Sequence, residues 1–187
     1  MRSPEQRLAA LKDAHEQRQR LKWLFFWGHS APPGVITKAC LSQWYPAPFD
    51  VVSVRYSTAE HWMMAEKARL FGDSNALHRI LSAEHPGEAK RVGREVRGFD
   101  ETVWTAARYR IVVEGNVHKF SVHSELRSFL LTTGDRILVE ASPIDRVWGV
   151  GLAADDQRVT DPGLWRGLNL LGFALMEVRE RLQDARA

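Results

Sequence analysis

The stretch of residues 56–73 constrains the fold most, because it is predicted to be a helix with charge on its apolar face. Ser57 or Thr58 can cap this helix and Gly72 can end it. Glu66 and Arg69 fall on one side. At about 100° per residue, the opposite stripe holds two ionisable and three apolar side chains: Glu60, Met63, Met64, Lys67 and Phe71.

Two interpretations fit the carboxyl of Glu60 and the amine of Lys67 within that stripe. Seven residues of helix separate their Cα atoms by roughly 10 Å, which is too far for an ideal direct salt bridge. The spacing suits two side chains that reach toward a shared third body in a polar pocket. It also suits a glutamate in the first turn and a lysine whose ammonium reaches solvent at the edge of the core. The spacing alone leaves both interpretations open.

The length of 187 residues fits one domain with a sizeable core, and 44% hydrophobic and 26% charged residues are typical of globular proteins. Cys40 is the single cysteine, which excludes an internal disulfide and suits a reducing cytoplasm. The seven histidines show no spacing typical of metal ligands. We therefore expect a packed thiol, no metal site and no cofactor.

The net charge of +3 is concentrated in residues 1–22, which are predicted to be a basic N-terminal arm or helix. This segment holds six of the 26 basic and three of the 23 acidic residues, so residues 23–187 hold 20 of each. The globular part, residues 23–187, is therefore not expected to bind polyanions in general, whereas the arm could add weak contact with nucleic acid. The arm lacks the apolar core of a signal peptide, and the apolar run 23–27 is too short to span a membrane, so we expect a cytoplasmic protein without a membrane partner.

Helical patterns dominate the rest of the chain. Helices are predicted over residues 74–82, 86–94, 101–117, 123–132 and 168–183, with Asp100 as the cap of the third. Strands are predicted over residues 23–27, 51–56 and 136–141, and residues 40–49 read as an aromatic loop broken by two prolines. The sequence therefore predicts a single, mostly helical domain with a few short strands.

The segment after the last predicted strand, residues 140–151, has features of a ligand-binding loop. Gly149 and Gly151 let a backbone approach a ligand closely, Trp148 offers a flat face to a base or sugar, and Asp145 can hold a hydroxyl or act on a developing cation. The third glycine of the dinucleotide fingerprint is missing. A strained turn that packs a tryptophan explains the segment equally well.

Two further segments carry polar groups near glycines. Asn169 shares a predicted helical face with Gly172 and Phe173, so its amide is expected to point inward, toward backbone groups or toward a ligand. Arg94 follows Gly93, where a guanidinium can serve a phosphate. Arg97 stands in a similar place, but we favour a structural role for it.

Taken together, these pieces resemble the NADAR, or YbiA-like, superfamily over about residues 23–182. The matching motifs follow one another in family order and include SQWYP at 42–46, Y-x₃-EHWMMA-x-KA at 56–68, FGD at 71–73, GR at 93–94, LVEASP-x-D at 138–145, WG-x-G at 148–151 and W-x-G-x-N-x-LG at 165–172. The chain departs from the family after Lys119-Phe120, where a Gln is frequent and Ser121 stands here. Residues 23–187 are accordingly identified as a NADAR/YbiA-like domain.

The resemblance implies an α+β fold of the YbiA-like type, formed by a single, mostly helical domain with a few short strands. It also implies an N-glycosidase that acts on ribose attached to an amine. It implies two substrate classes, ADP-ribosylated guanine (as nucleoside or in nucleic acid) and the phosphoribosylamino-pyrimidine intermediates of riboflavin synthesis. Carried over by motif, the catalytic residues fall on Lys67, Glu60 and Asp145. The predicted substrate contacts are Trp148, Gly149, Gly151, Asn169, Arg94 and Trp44.

Both substrate classes join ribose C1 to an exocyclic amine, so two mechanisms are open. Lys67 with a lowered pKa could attack C1 and form a Schiff base, while Glu60 or Asp145 moves protons. Alternatively, carboxylates catalyse direct hydrolysis through an oxocarbenium ion, and Lys67 only binds a hydroxyl or phosphate. We prefer removal of ADP-ribose from guanine. The alternatives are a riboflavin-pathway N-glycosidase and a module that binds ADP-ribose or NAD without turnover.

Overall fold

The computed structural model describes residues 2–184, which form seven helices and four short strands. The helices are α1 (Pro4–Glu16), α2 (Ala59–Leu70), α3 (Ser74–Leu81), α4 (Pro86–Arg94), α5 (Glu101–Val122), α6 (Ser124–Thr132) and α7 (Leu170–Asp184). The strands are β1 (Trp23–Phe26), β2 (Phe49–Val51), β3 (Val54–Tyr56) and β4 (Ile137–Glu140). The predicted α+β class is confirmed.

The strands form two separate two-stranded sheets. β1 and β4 run parallel, with Phe26 opposite Glu140, and β2 and β3 form an antiparallel hairpin. Parallel strands end at the same edge of a sheet. The segments that follow Phe26 and Glu140 therefore leave the sheet side by side, and both line the cleft described below.

The single strand predicted over residues 51–56 is wrong, because the chain reverses within it. Val52 and Ser53 form a two-residue turn with φ of 47° and 64°, and the first strand of the hairpin already begins at Phe49. Turns with two positive φ angles usually carry Asn-Gly or Asp-Gly. Val-Ser has none of these signals, and a β-branched residue favours extended backbone, so the pattern read as one strand.

Helix α5 extends five residues beyond its predicted end at residue 117, because its last turns bury Lys119. The Lys119 side chain is fully buried, and its Nζ donates to the carbonyls of Cys40 (2.7 Å) and Ser42 (2.9 Å). Burial lowers the pKa of Lys119 to about 7. The amine thus joins the predicted aromatic loop to α5. The sequence did not indicate this contact, because a charged residue at the end of an apolar stripe usually marks the end of the buried part of a helix.

Helix α2 lies at the centre of the core. Its first seven residues and Ala68 are buried, with Thr58 as the cap that accepts the His61 N–H and Gly72 at φ 67° beyond its end. A helix buried on all sides needs close neighbours. Glycines provide them, since a Cβ at Gly93 of α4 or at Gly115 of α5 would overlap side chains of α2.

The predicted N-terminal arm contains helix α1, which packs on α7. Ser3 and Gln6 form a capping box, and Arg7 makes two hydrogen bonds to Glu180 of α7, at 2.9 and 2.6 Å. Leu11 packs against a second apolar cluster next to β4. Contact of this segment with nucleic acid stays a prediction. None of the helices formed by residues 2–184 has the length and apolar character needed to cross a membrane.

Replacing Lys119 by Met is expected to lower the free energy of unfolding by about 2–4 kcal/mol, because two buried carbonyls lose their donor. The measurement is urea denaturation. Lys38→Met is the matched control: the Lys38 Nζ also donates to a backbone carbonyl, that of Phe25, but the side chain is exposed and water can replace it. Equal losses in both variants would contradict a structural role for buried Lys119.

Candidate active site

A cleft of about 950 Å³ opens between two walls of different character. The helix wall comes from α2, α4 and α5, and the strand wall comes from the segments that follow β1 and β4. Cationic side chains of the helix wall are Lys67, Lys90, Arg91, Arg94 and Arg108. Aromatic side chains contributed by both walls are Trp27, Trp44, Phe99, Trp104 and Trp148. Acidic side chains lie on both sides, with Glu101 on the helix wall and Glu140 and Asp145 on the strand side.

Glu60 carries a buried carboxyl group, one oxygen of which is available to accept or donate a hydrogen bond. Its side chain is 2% exposed, and its Oε1 has no hydrogen-bond partner among the described residues. Burial raises the pKa of Glu60 to about 7, against the opposing influence of Lys90 and Trp44. A carboxyl group with this pKa holds or releases a proton near neutral pH, as a general acid or base must.

Glu140 is a second acidic group of this kind, and the sequence analysis missed it. It is the last residue of β4, it lines the cleft, and its Oε2 lacks a partner within residues 2–184. Burial, followed by the charge of Asp145, raises the pKa of Glu140 to about 8. The available signal was its position at the carboxyl end of a buried strand in a parallel pair, where ligands commonly bind.

Asp145 is held rigidly by its own loop. Its Oδ1 accepts hydrogen bonds from the N–H groups of Val147 and Trp148, both at 2.8 Å, and its own N–H donates to Ser142 Oγ at 3.2 Å. Asp145 lines the cleft and its charge acts on both Glu60 and Glu140. The structure thus brings two of the predicted catalytic carboxylates together with a third.

The Lys67 side chain is half-buried and enters the same cleft between aromatic rings. Its Nζ lies 4.1 Å from the ring centroid of Phe99 and 5.4 Å from that of Trp104. Burial lowers the pKa of Lys67, while the charge of Glu101 opposes this change. The rings position the amine, and Phe99 was not anticipated because it lies in the turn before α5.

Three predicted substrate contacts, Trp44, Trp148 and Arg94, line the cleft. Trp44 packs against the rings of His29 and His85, with centroids 5.6 Å away in both cases. Arg97 does not line it: its guanidinium and N–H all bind the carboxylate of Asp73, and these bonds hold the pKa of Asp73 well below its usual range. The structural role favoured for Arg97 is confirmed.

The other three predicted contacts, Gly149, Gly151 and Asn169, shape the loop from behind the cleft surface. A Cβ at Gly149 would lie 2.8 Å from the Glu140 carbonyl, and Gly151 has φ of 69°. Asn169 is fully buried; its Oδ1 accepts the Glu140 N–H and its Nδ2 donates to the Leu138 carbonyl, each at 3.0 Å. These residues position β4 and the loop, and direct contact with substrate stays a prediction.

The chain matches the model of the NADAR domain over residues 25–183. It is 40% identical to N-glycosidase R617 of Acanthamoeba polyphaga mimivirus over 168 residues, which cover 87% of this chain and 98% of the relative. It is 32% identical to riboflavin biosynthesis protein VVA0006 of Vibrio vulnificus, over 77% of this chain and 35% of the relative. The NMR structure of Escherichia coli YbiA superposes with a TM-score of 0.71 at 28% identity, covering 88% of this chain and 87% of YbiA.

The fold, the cleft and these similarities agree on one class of protein. The chain belongs to the NADAR family, which confirms the resemblance drawn from the motifs. Relatives in this family are named N-glycosidases, and the chain is accordingly an N-glycoside hydrolase.

Glu140→Gln is expected to reduce the loss of thermal stability between pH 5 and pH 8. The pKa of Glu140 is raised from 4.5 to about 8 on folding. Its contribution to stability is therefore fully present below pH 4.5 and is lost as the pH rises to about 8, because the unfolded chain releases the proton first. The measurement is the melting temperature across this range. Glu84→Gln, at an exposed position outside the cleft, serves as the control and should keep the wild-type slope.

Gly149→Ala is expected to lower the free energy of unfolding by about 2 kcal/mol or more, because the new methyl group meets the backbone oxygens of Glu140 and Asp145. Chemical denaturation measures the loss. At Gly134, φ is 59° and a Cβ would meet no atom within 4 Å, so Gly134→Ala costs only about 1 kcal/mol of backbone strain. A Gly149→Ala protein of wild-type stability would show that the loop can accommodate a methyl group at this position. It would then favour the close approach of a ligand as the reason for a glycine at position 149.

Proposed function

We propose that the protein removes ADP-ribose from guanine bases of nucleic acid by hydrolysing the bond between ribose C1 and the exocyclic amine. The observation that carries this proposal is one cleft that holds the carboxyl groups of Glu140 and Asp145 together with a half-buried lysine and a cationic wall, while the charge of Asp145 also acts on the buried carboxyl group of Glu60. The carboxyl groups suit proton transfer at the glycosidic nitrogen. The cationic wall suits a phosphate-bearing sugar.

The cations favour a substrate with two phosphates. Lys90 and Arg94 are four residues apart on α4, so they project from the same side of the helix, and Arg108 adds a guanidinium from α5. All three line the cleft. Arg91 is less available because its guanidinium pairs with Glu95 at 2.8 Å. Three cations along one wall match the diphosphate of ADP-ribose better than a single phosphate.

The size of the cleft points the same way. Its volume of about 950 Å³ lies at the upper end of the range of about 300–1,000 Å³ that is typical of small-molecule sites. ADP-ribose joined to guanine needs such a volume, whereas a phosphoribosylamino-pyrimidine would leave much of it to water. Outside residues 1–22 the formal charge is balanced, which favours a ligand held in the cleft over broad contact with a duplex.

The first chemical step opens the sugar ring. The lone pair of the exocyclic nitrogen forms a double bond to C1 while the bond between C1 and the ring oxygen breaks, and the ring oxygen takes a proton from Glu60. With a pKa of about 7, Glu60 carries that proton in a large fraction of molecules at neutral pH. The product is an open-chain iminium ion at C1.

In the next steps, Lys67 replaces the base at C1, and water then replaces Lys67. Neutral Lys67 adds to C1, its proton passes through Asp145 or Glu140 to the guanine nitrogen, and the bond from C1 to that nitrogen breaks. Guanine leaves with an intact amino group, and Lys67 remains as an iminium. Water adds to C1 while a carboxylate takes one of its protons and passes it to Nζ. The bond from C1 to Nζ then breaks and C1 becomes a carbonyl, while the remaining O–H proton returns to the Glu60 carboxylate. Lys67 is released as a neutral amine, and the sugar closes as free ADP-ribose.

A second candidate is N-glycosidase activity on the phosphoribosylamino-pyrimidine intermediates of riboflavin synthesis. The similarity to a riboflavin biosynthesis protein supports it. This substrate has the same bond between C1 and an amine, so the same residues would act. A third candidate is a module that binds ADP-ribose without turnover. It does not explain why Glu60 and Glu140 each keep a carboxyl oxygen without a hydrogen-bond partner among the described residues.

The proposal predicts the products. Incubation with ADP-ribosylated guanosine should release guanosine and ADP-ribose, identified by mass, with no added metal. The phosphoribosylamino-pyrimidine should be turned over at least about tenfold less efficiently, because it leaves the guanidinium of Arg108 on α5 unused. A preference for the pyrimidine would establish the second candidate, and tight binding with no product from either compound would establish the binding module.

Lys67→Ala and Lys67→Arg should each lose at least about 10³-fold of kcat, because neither side chain can form an imine with C1. Borohydride added during turnover should trap an adduct on Lys67 in the wild-type protein, and peptide mass locates it. The matched control is Lys90→Arg in the same cleft, which keeps the charge and should lose far less activity. An active Lys67→Arg protein without a trappable adduct would establish direct hydrolysis instead.

A further inference from the structure

Two large apolar side chains stand exposed at one edge of the cleft. Trp27 is 58% exposed and Ile144 is 84% exposed, and both line the cleft. Trp27 directly follows β1, and Ile144 follows β4 by four residues. The parallel pairing continues beyond the strands, since the Ala141 N–H donates to the Phe26 carbonyl at 2.9 Å. We call Trp27 and Ile144 the apolar lip.

The apolar lip and the phosphate-binding cations belong to different walls of the cleft. Lys90, Arg94 and Arg108 belong to the helix wall, whereas Trp27, Ile144 and the other residues after β1 and β4 form the strand wall. The carboxyl groups of Glu140 and Asp145 belong to the strand side of the cleft, as the apolar lip does. With ribose C1 at these carboxylates and the diphosphate at the cations of the helix wall, the base lies along the strand wall. The base and whatever is attached to it therefore leave the cleft at the apolar lip.

We propose that the apolar lip holds the nucleotide adjoining the modified guanine in an unpaired strand of nucleic acid. This inference rests on the proposed function and adds the form of the substrate. An exposed tryptophan ring can stack on any base, because each base has a flat face. Arg146, two residues after Ile144, is exposed and lines the cleft beside it, so a cation is available for the backbone phosphate of that nucleotide.

An unpaired strand fits the surface better than a duplex. In a duplex, the neighbouring base is stacked and paired and its face is covered, so Trp27 could not reach it without further unstacking. The 20 basic and 20 acidic residues of positions 23–187 also provide no excess charge for tracking two strands. The apolar lip is small, and stacking of one or two bases is sufficient to cover it.

The experiment compares two substrates that carry the same ADP-ribosylated guanine: the nucleoside, and a single-stranded pentanucleotide with the modification at its centre. Trp27→Ala and Ile144→Ser should each reduce kcat/KM for the pentanucleotide by about tenfold, the size of one lost stacking contact. Their kcat/KM for the nucleoside should change by less than about twofold. Leu164→Ser is the control, since Leu164 is 50% exposed in a turn that does not line the cleft.

A second measurement uses the wild-type protein alone. Replacing the nucleotides on either side of the guanine by abasic sites should reproduce the loss seen in Trp27→Ala, and pairing the pentanucleotide with its complement should also reduce kcat/KM. If Trp27→Ala and Ile144→Ser lose kcat/KM equally on nucleoside and pentanucleotide, the apolar lip contacts the modified nucleoside only and the proposal is wrong. Unchanged kcat/KM of these variants for the pentanucleotide would also overturn it, as would equal turnover of duplex and single strand by the wild-type protein. If the wild-type protein does not cleave the nucleoside, the proposed function itself fails, which is a separate result.

Discussion

The amide of Asn169 forms the contact on which the rest of the site depends. It binds the backbone of β4 at Leu138 and Glu140, while the Asn169 N–H donates to the Gly149 carbonyl at 3.1 Å. One buried residue, through its side chain and its backbone N–H, therefore joins the start of α7, the end of β4 and the loop that carries Asp145. Its φ of 53° is a conformation that asparagine tolerates better than most residues. Because a buried amide must be satisfied, this arrangement is rigid, and it fixes Glu140 relative to Asp145.

The second constraint is the burial of acidic groups. Glu60 and Glu140 each keep an oxygen without a partner among the described residues, at the centre of a protein whose other buried polar groups are mostly paired. Such groups destabilise a fold, because the charged form loses its hydration. Burial therefore favours the neutral form of each carboxyl group and raises the pKa of Glu60 to about 7 and that of Glu140 to about 8. These raised pKa values allow both carboxyl groups to exchange protons at neutral pH. Burial is therefore the common cause of the lower stability and of the capacity for proton transfer.

Much of the fold could be predicted because its signals are local. Asp100 caps α5 and Thr58 caps α2, as the sequence indicated, since a cap requires only a few neighbouring residues. The hairpin at Val52-Ser53 could not be predicted, because its turn lacks the residues typical of turns with two positive φ angles. Helical spacing placed Lys67 and Glu60 on one stripe of α2, but it did not decide between a polar pocket and the edge of the core. The roles of Glu140 and Lys119 could not be predicted, and the choice between backbone and ligand stayed open for Asn169, since these roles depend on contacts with residues 29–79 positions away.

The central claim is a direction of binding: diphosphate on the helix wall, ribose C1 at the carboxylates and base at the strand wall. The most direct measurement is a crystal structure of Lys67→Ala, which should retain uncleaved substrate, with ADP-ribosylated guanosine bound. The account predicts phosphate oxygens on Arg94 and Arg108, and a carboxyl oxygen of Glu60, Glu140 or Asp145 about 2.6–3.2 Å from the ring oxygen or the glycosidic nitrogen. A ligand with its phosphates against the segments after β1 and β4, and its ribose away from these carboxyl groups, would contradict it.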